Sequence, residues 1–188
     1  MKHIFQTWAA VAALLCAPVV AQNTNEDAPQ ATHSLEFSSG TTIEVSYRQL
    51  RLSGGQSLKA LLSKSPQGKA TRSFYNENYL PQFLHGTFKV TASTKLGDKN
   101  VKKGTYGFLF RIDDELKWHL VLTKSGKDAH VIALESTSDK KAQSKRLVVE
   151  PVAADDTEAK GHLEIRYGPL VANLDFAPSK ATEAKKKD

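Results

Sequence analysis

His162-Leu163-Glu164-Ile165-Arg166-Tyr167-Gly168-Pro169-Leu170-Val171-Ala172-Asn173-Leu174-Asp175-Phe176 is the stretch that decides the fold class. Leu163, Ile165 and Tyr167 alternate with His162, Glu164 and Arg166. After Gly168-Pro169, Leu170, Ala172, Leu174 and Phe176 alternate with Val171, Asn173 and Asp175. A period of two belongs to strands with one buried and one wet face, and the Gly-Pro break reads as a turn. The stretch predicts a β-hairpin at the C-terminal end of the domain.

The same period recurs upstream. Ile43, Val45 and Tyr47 alternate with Glu44, Ser46 and Arg48, and Phe88, Val90 and Ala92 alternate with Lys89, Thr91 and Ser93. Further strands are expected at Ser34–Phe37, Tyr106–Ile112, Lys117–Thr123, His130–Glu135 and Arg146–Val152. Turn residues separate them at Ser38-Ser39-Gly40, Leu96 to Asn100 and Asp113-Asp114-Glu115. About nine strands at this spacing predict an all-β fold, an antiparallel β-sandwich, jelly-roll-like or a partly open barrel. One short helix is expected at Gln56–Lys64, where Leu58, Leu61 and Leu62 fall at helical spacing. Ser65-Pro66-Gln67-Gly68 reads as its terminator. Phe74 to Leu84 is rich in aromatics without a period, and reads as a cover over one open end.

The termini have a different character. Met1 to Ala21 reads as a secretory signal peptide: Lys2 and His3 start it, an apolar run from Trp8 follows, and Val19 and Ala21 are small residues placed for cleavage before Gln22. The run is shorter than the roughly 20 residues needed to span a bilayer. Cys16 is the only cysteine, and Leu15 before it does not suit a lipid-attachment box. Cleavage would remove it, so neither a disulfide framework nor a thiolate metal site is expected. Residues 22–33 are expected to be a mobile leader, 34–178 the β-sandwich domain, and 179–188 a basic disordered tail ending in Lys185-Lys186-Lys187. The net charge of +6 becomes +5 without Lys2. A periplasmic or extracellular location follows, in which nucleic acid is not an expected partner and an envelope polymer, sugar or peptide is.

Local signatures of catalysis are missing from the sequence. No two histidines are spaced as a metal pair, so no metal or cofactor is expected. There is no Gly-x-Ser-x-Gly elbow, no Walker lysine and no Gly-x-Gly-x-x-Gly. Ser138 and Lys141 form a lone Ser-x-x-Lys in a polar loop that lacks the helix start this chemistry uses. Asp113-Asp114-Glu115 and Asp155-Asp156 read as turn residues rather than as a carboxylate pair held across a cleft. Two lysine clusters flank turns: Lys95, Lys99, Lys102 and Lys103, and Lys140, Lys141, Lys145 and Arg146. They read as edge protection or as an anion-binding surface.

Val101-Lys102-Lys103-Gly104-Thr105-Tyr106-Gly107-Phe108-Leu109-Phe110, followed by Trp118-His119-Leu120-Val121-Leu122-Thr123-Lys124, resembles the DUF2911 family of exported bacterial proteins of unknown function. Gly40 to Tyr47 is similar to that family's opening strand, and His162 to Phe176 to its closing hairpin. The resemblance runs from about Ser34 to Phe176 and implies a fold and export. Members carry Tyr-Gly-x-Val-Trp-Arg-x-Gly-Ala-Asn-Glu upstream of the Gly-Thr-Tyr strand. Tyr79 and Gly86 match this stretch, whereas Leu84, Phe88 and Lys89 replace the Arg, Asn and Glu. A site built on that polar trio would be lost here.

Three functional expectations follow. The first is a non-enzymatic binding or envelope-structural module whose binding residues are Tyr75, Tyr79, Phe83 and His85, flat side chains suited to sugars or peptides. The second is a hydrolase or metal-dependent enzyme whose residues, His85, His119 and His130 among them, meet only in three dimensions. The third is an anionic-polymer binder resting on lysine and arginine.

Overall fold

The computed structural model describes residues 28–52, 56–79, 84–137, 141–154 and 160–179. The expected signal peptide and nearly all of the basic tail lie outside them. Among the described residues, eleven strands form two antiparallel sheets packed face to face. They are β1 (Gln30–Glu36), β2 (Thr42–Arg48), β3 (Gly86–Val90), β4 (Thr94–Leu96), β5 (Lys99–Val101), β6 (Gly104–Ile112), β7 (Trp118–Lys124), β8 (Lys127–Leu134), β9 (Ser144–Ala153), β10 (Gly161–Gly168) and β11 (Leu170–Pro178). One sheet has the order β1-β2-β3-β6-β7-β8, the other β5-β4-β11-β10-β9. The all-β sandwich is therefore the fold.

Alternation fills the space between the sheets. Ile43, Val45, Phe88, Val90, Phe108, Phe110, Leu120 and Leu122 come from the first sheet, and Leu147, Val149, Leu163, Ile165, Leu170 and Phe176 from the second; all are buried in one cluster. Each fully buried side chain of this size is worth about 1.5–3 kcal/mol. The expected C-terminal hairpin is β10–β11, with Leu163 opposite Leu174 and Gly168 turning at φ +58°. Both open sides of the sandwich are laced. On one, the Leu147 amide donates to the Leu50 carbonyl at 2.8 Å; on the other, the Thr137 amide donates to the Val171 carbonyl at 2.7 Å.

Four local expectations change. β1 starts at Gln30, so the end of the expected leader belongs to the sheet, where Ala31 and Leu35 pack on the core. The turn expected at Leu96 to Asn100 is a tight hairpin between β4 and β5, closed by Gly97 at φ +56°. Ala92, expected in a strand, follows the end of β3. The described residues hold two helices, not one: α1 (Gln56–Leu61) and α2 (Pro66–Phe74), the second running into a π-helical turn at Tyr75–Tyr79. Ser65-Pro66 starts α2 rather than ending α1. The Ser65 hydroxyl accepts from the Gly68 amide at 3.1 Å, and Pro66 occupies the first turn, where its missing N–H costs nothing.

Arg72 ties this helical unit to the sheet. It is 2% exposed, and its guanidinium donates to the carbonyls of Leu61 and Ser63 at the end of α1. The same group lies 3.5 Å from the Asp114 carboxylate in the β6–β7 turn, which Lys69 also reaches at 2.9 Å. Asn76 completes the junction, donating to the Ile112 carbonyl and accepting from its amide.

Candidate functional site: a concavity on the outer face of the larger sheet

The outer face of the six-stranded sheet is not uniformly wet. Leu109 on β6 and Val121 on β7 have outward parity, yet both are buried. Gly107, the preceding outward position on β6, explains part of this. A Cβ there would lie 2.5 Å from Leu84 Cδ1 and 2.8 Å from Thr123 Oγ1, so the glycine makes room for the Leu84 side chain to lie on the sheet. Leu84 remains half-exposed, and the concavity beside it measures about 300 Å³. Its floor is Leu109 and Gly107. Thr87, Thr105 and Thr123 bring three hydroxyls to its walls, and Arg111, Lys124 and Asp128 its charges.

Arg111 and Asp128 form a bidentate pair, with Arg111 Nη2 donating to Asp128 Oδ1 at 3.0 Å. The pairing depends on an irregularity. Leu122 sits opposite His130 but Thr123 opposite Asp128, leaving Ala129 as an extra residue in β8. This β-bulge turns Asp128 to the outer face while His130 keeps inward parity against Tyr106, ring centroids 6.0 Å apart. Without the bulge, alternation would place both on one face. Arg111 itself sits opposite His119, so its side chain crosses the level of Val121 to reach Asp128 and helps cover it.

Of the four expected binding residues, the two whose side chains are described, Tyr75 and His85, are buried. Tyr75 is 6% exposed and belongs to the core cluster. His85 is 5% exposed, wedged between Phe110 and Tyr167 at centroid distances of 5.4 and 5.6 Å in edge-to-face geometry. Burial alone pushes the His85 imidazole down to about 4 and raises the Tyr167 phenol. His85 Nδ1 has no hydrogen-bond partner. It is a neutral core ring. Phe83 and the Tyr79 side chain lie outside the described residues. The concavity is reached by Leu84, their neighbour, instead.

The three histidines of the enzyme expectation stay apart in role and place. His85 fills the core and His130 lines its edge. His119 bonds Asp113 on the outer side, Nε2 to Oδ2 at 2.8 Å. Asp113 also accepts from the Lys117 amide at 2.8 Å, pinning a turn in which Leu116 adopts φ 68°. Burial works to raise the Asp113 carboxyl, but the bonds from His119 and the Lys117 amide outweigh it and hold it below the ordinary range. That carboxylate is a turn anchor, as its position at a hairpin tip led us to expect. Among the described residues, no three His, Cys, Asp or Glu side chains gather as a metal would require.

A second concavity, of about 410 Å³, lies by Gly97, Gly161 and Phe176 of the smaller sheet. It is larger, but among the described residues its charged lining is Lys95, Lys160 and Asp175 alone. No family model, curated protein or solved structure matches this chain. The likeness to the DUF2911 family therefore rests on the residues quoted for it.

Proposed function

We propose that this chain is an exported, non-enzymatic binding module that takes a small hydroxyl-rich ligand, a saccharide unit, into the concavity beside Leu84. The observation that carries the reading is the lining: three threonine hydroxyls and a planar, paired guanidinium–carboxylate around an apolar floor. Threonine hydroxyls both donate and accept, so they match a ligand whose every hydroxyl does the same. The paired Arg111 and Asp128 hold fixed directions without leaving a net charge to repel or demand an ion. The size suits one sugar ring, at the small end of ligand sites. The apparent signal peptide supplies the export half of the reading, and an envelope sugar or its polymer is the natural partner.

Isothermal titration of the full chain against a panel of mono- and disaccharides, with short peptides as the comparison, tests this. A saccharide is expected to bind, and both Arg111→Ala and Thr105→Val should weaken it at least about tenfold, the cost of losing one or two well-formed hydrogen bonds. Peptide binding without saccharide binding would overturn the reading, as would saccharide binding indifferent to both substitutions.

A further inference from the structure

We propose that the end of the sandwich where β5 hands over to β6 is a docking surface for a bilayer rich in acidic phospholipid. Lys102 and Lys103 sit in that handover, and both are exposed. Lys124 approaches from the β7–β8 turn: its Nζ lies 3.6 Å from where a Cβ of Gly104 would be, and 5.5 Å from the centre of the Tyr106 ring. Lys127 is opposite Lys124 in the same hairpin, across Ser125 and Gly126, both at positive φ. Tyr106 fastens the two parts together, its hydroxyl donating to the Lys102 carbonyl at 2.8 Å. Lys95 and Lys99 continue the array on the β4–β5 hairpin, and the Lys99 charge reaches His130 beneath Tyr106.

The local acids do not cancel this array. Asp98 is engaged by Lys99 at 2.7 Å, and Asp128 by Arg111. Glu44, which Lys89 reaches at 3.8 Å, and Glu36 and Asp175 are the other described carboxylates at this end. Lys102, Lys103, Lys124 and Lys127 have no carboxylate within ion-pair distance among the described residues. The last described residue is also at this end. The Ser179 amide donates to the Ser93 carbonyl at 2.9 Å, and Lys180 and Lys185-Lys186-Lys187 follow in the sequence.

The form of the array favours a flat sheet of phosphates over a single anionic strand. The four lysines stand on the β5–β6 crossover between the sheets and on the β7–β8 hairpin rather than along a groove. They are compact point charges, without the guanidinium forks that read one phosphate bidentately. No exposed aromatic ring lies among them for a base to stack on; Tyr106 is buried. Each lysine held near an acidic membrane surface adds attraction that falls off within a Debye length.

Vesicle co-sedimentation of the full chain tests the proposal, with phosphatidylcholine alone against phosphatidylcholine containing about one-third phosphatidylglycerol. Binding is expected to the acidic vesicles only, and to be lost in high salt. The exposed quadruple variant K102Q/K103Q/K124Q/K127Q should bind at least about tenfold more weakly. Its melting temperature should match that of the parent, whereas Thr105→Val, which weakens the sugar site without changing charge, should leave vesicle binding intact and so separate the two sites, which share Lys124. Equal sedimentation with both vesicle types, or full binding by the quadruple variant, would overturn it. So would capture of soluble polyphosphate by a protein that ignores acidic vesicles.

Discussion

The outer faces of the two sheets are built from the same strand pattern and end up unlike. On the five-stranded sheet, β10 alternates strictly: Leu163, Ile165 and Tyr167 inside, His162, Glu164 and Arg166 outside. Its outer side chains interact loosely, with Arg166 to Glu164 at 3.8 Å and His162 to Glu164 at 3.9 Å. On the six-stranded sheet the outer face holds buried Leu109 and Val121, a bidentate ion pair and a concavity. The cause is the chain around Leu84 and His85, adjacent residues that go to opposite sides. Leu84 lies on the outside of the sheet, while His85 enters the core. An outer sheet face acquires shape when a connecting segment is pinned across it, and the pin here is a buried imidazole.

Loss of that pin is the largest way to break the contrast. His85 titrates near 4 in the fold and about 6.5 when unfolded, so the unfolded chain takes up the proton first. The stability tied to its neutral form is complete above pH 6.5 and is lost as pH falls towards 4, by up to about 3 kcal/mol. Urea unfolding across that window should show this slope in the parent and a flatter one in His85→Phe. An unchanged slope would mean the imidazole is not the pin.

Filling the two faces comes next. Gly107→Val drives a side chain into Leu84 and Thr123 and should cost about 1–3 kcal/mol, the range for overpacking. Asn173→Val, on the exposed side of β11, should stay within about 0.5 kcal/mol. Equal effects in denaturant melts would erase the distinction between the faces. The smallest contrast is electrostatic. Arg166→Ala removes a long, exposed contact and should cost about 0–1 kcal/mol. Arg111→Ala should cost somewhat more, because it also uncovers Val121. Parallel unfolding curves at low and high salt would show the Arg166 effect vanishing and the Arg111 effect persisting.

Much of the sandwich was legible because burial on one face writes itself into a sequence at period two. The β10–β11 hairpin and the inner residues of β2, β6 and β7 follow from parity alone. What escaped had physical reasons. Ser65-Pro66 serves both as a turn and as a helix start, so α2 was hidden. β4 and β5 have three residues each, too few to show a period. Aromatic content marked the segment from Tyr75 to His85 as unusual but carried no information on facing, so the buried rings of Tyr75 and His85 were read as binding residues. Of the concavity, Thr87, Thr105 and Arg111 have the outward parity that alternation assigns. Their meeting with Asp128 spans three strands and could not be read locally.

The extra residue in β8 behaves like a frameshift. Downstream of Ala129 the strand is read in one phase, with Ile132 and Leu134 inward; upstream it is read in the other, with Asp128 outward. Removing that one residue would leave Asp128 beside His130 and still outward, whereas keeping it but pairing it as an ordinary ladder position would reverse the sense of everything before it. The acid that completes the guanidinium pair would then face Tyr106 and the core, and Arg111 would be left alone at the rim. In a strand, the chemistry offered to solvent is therefore set by counting as much as by residue type, and the place where an extra residue is absorbed decides which groups face outward.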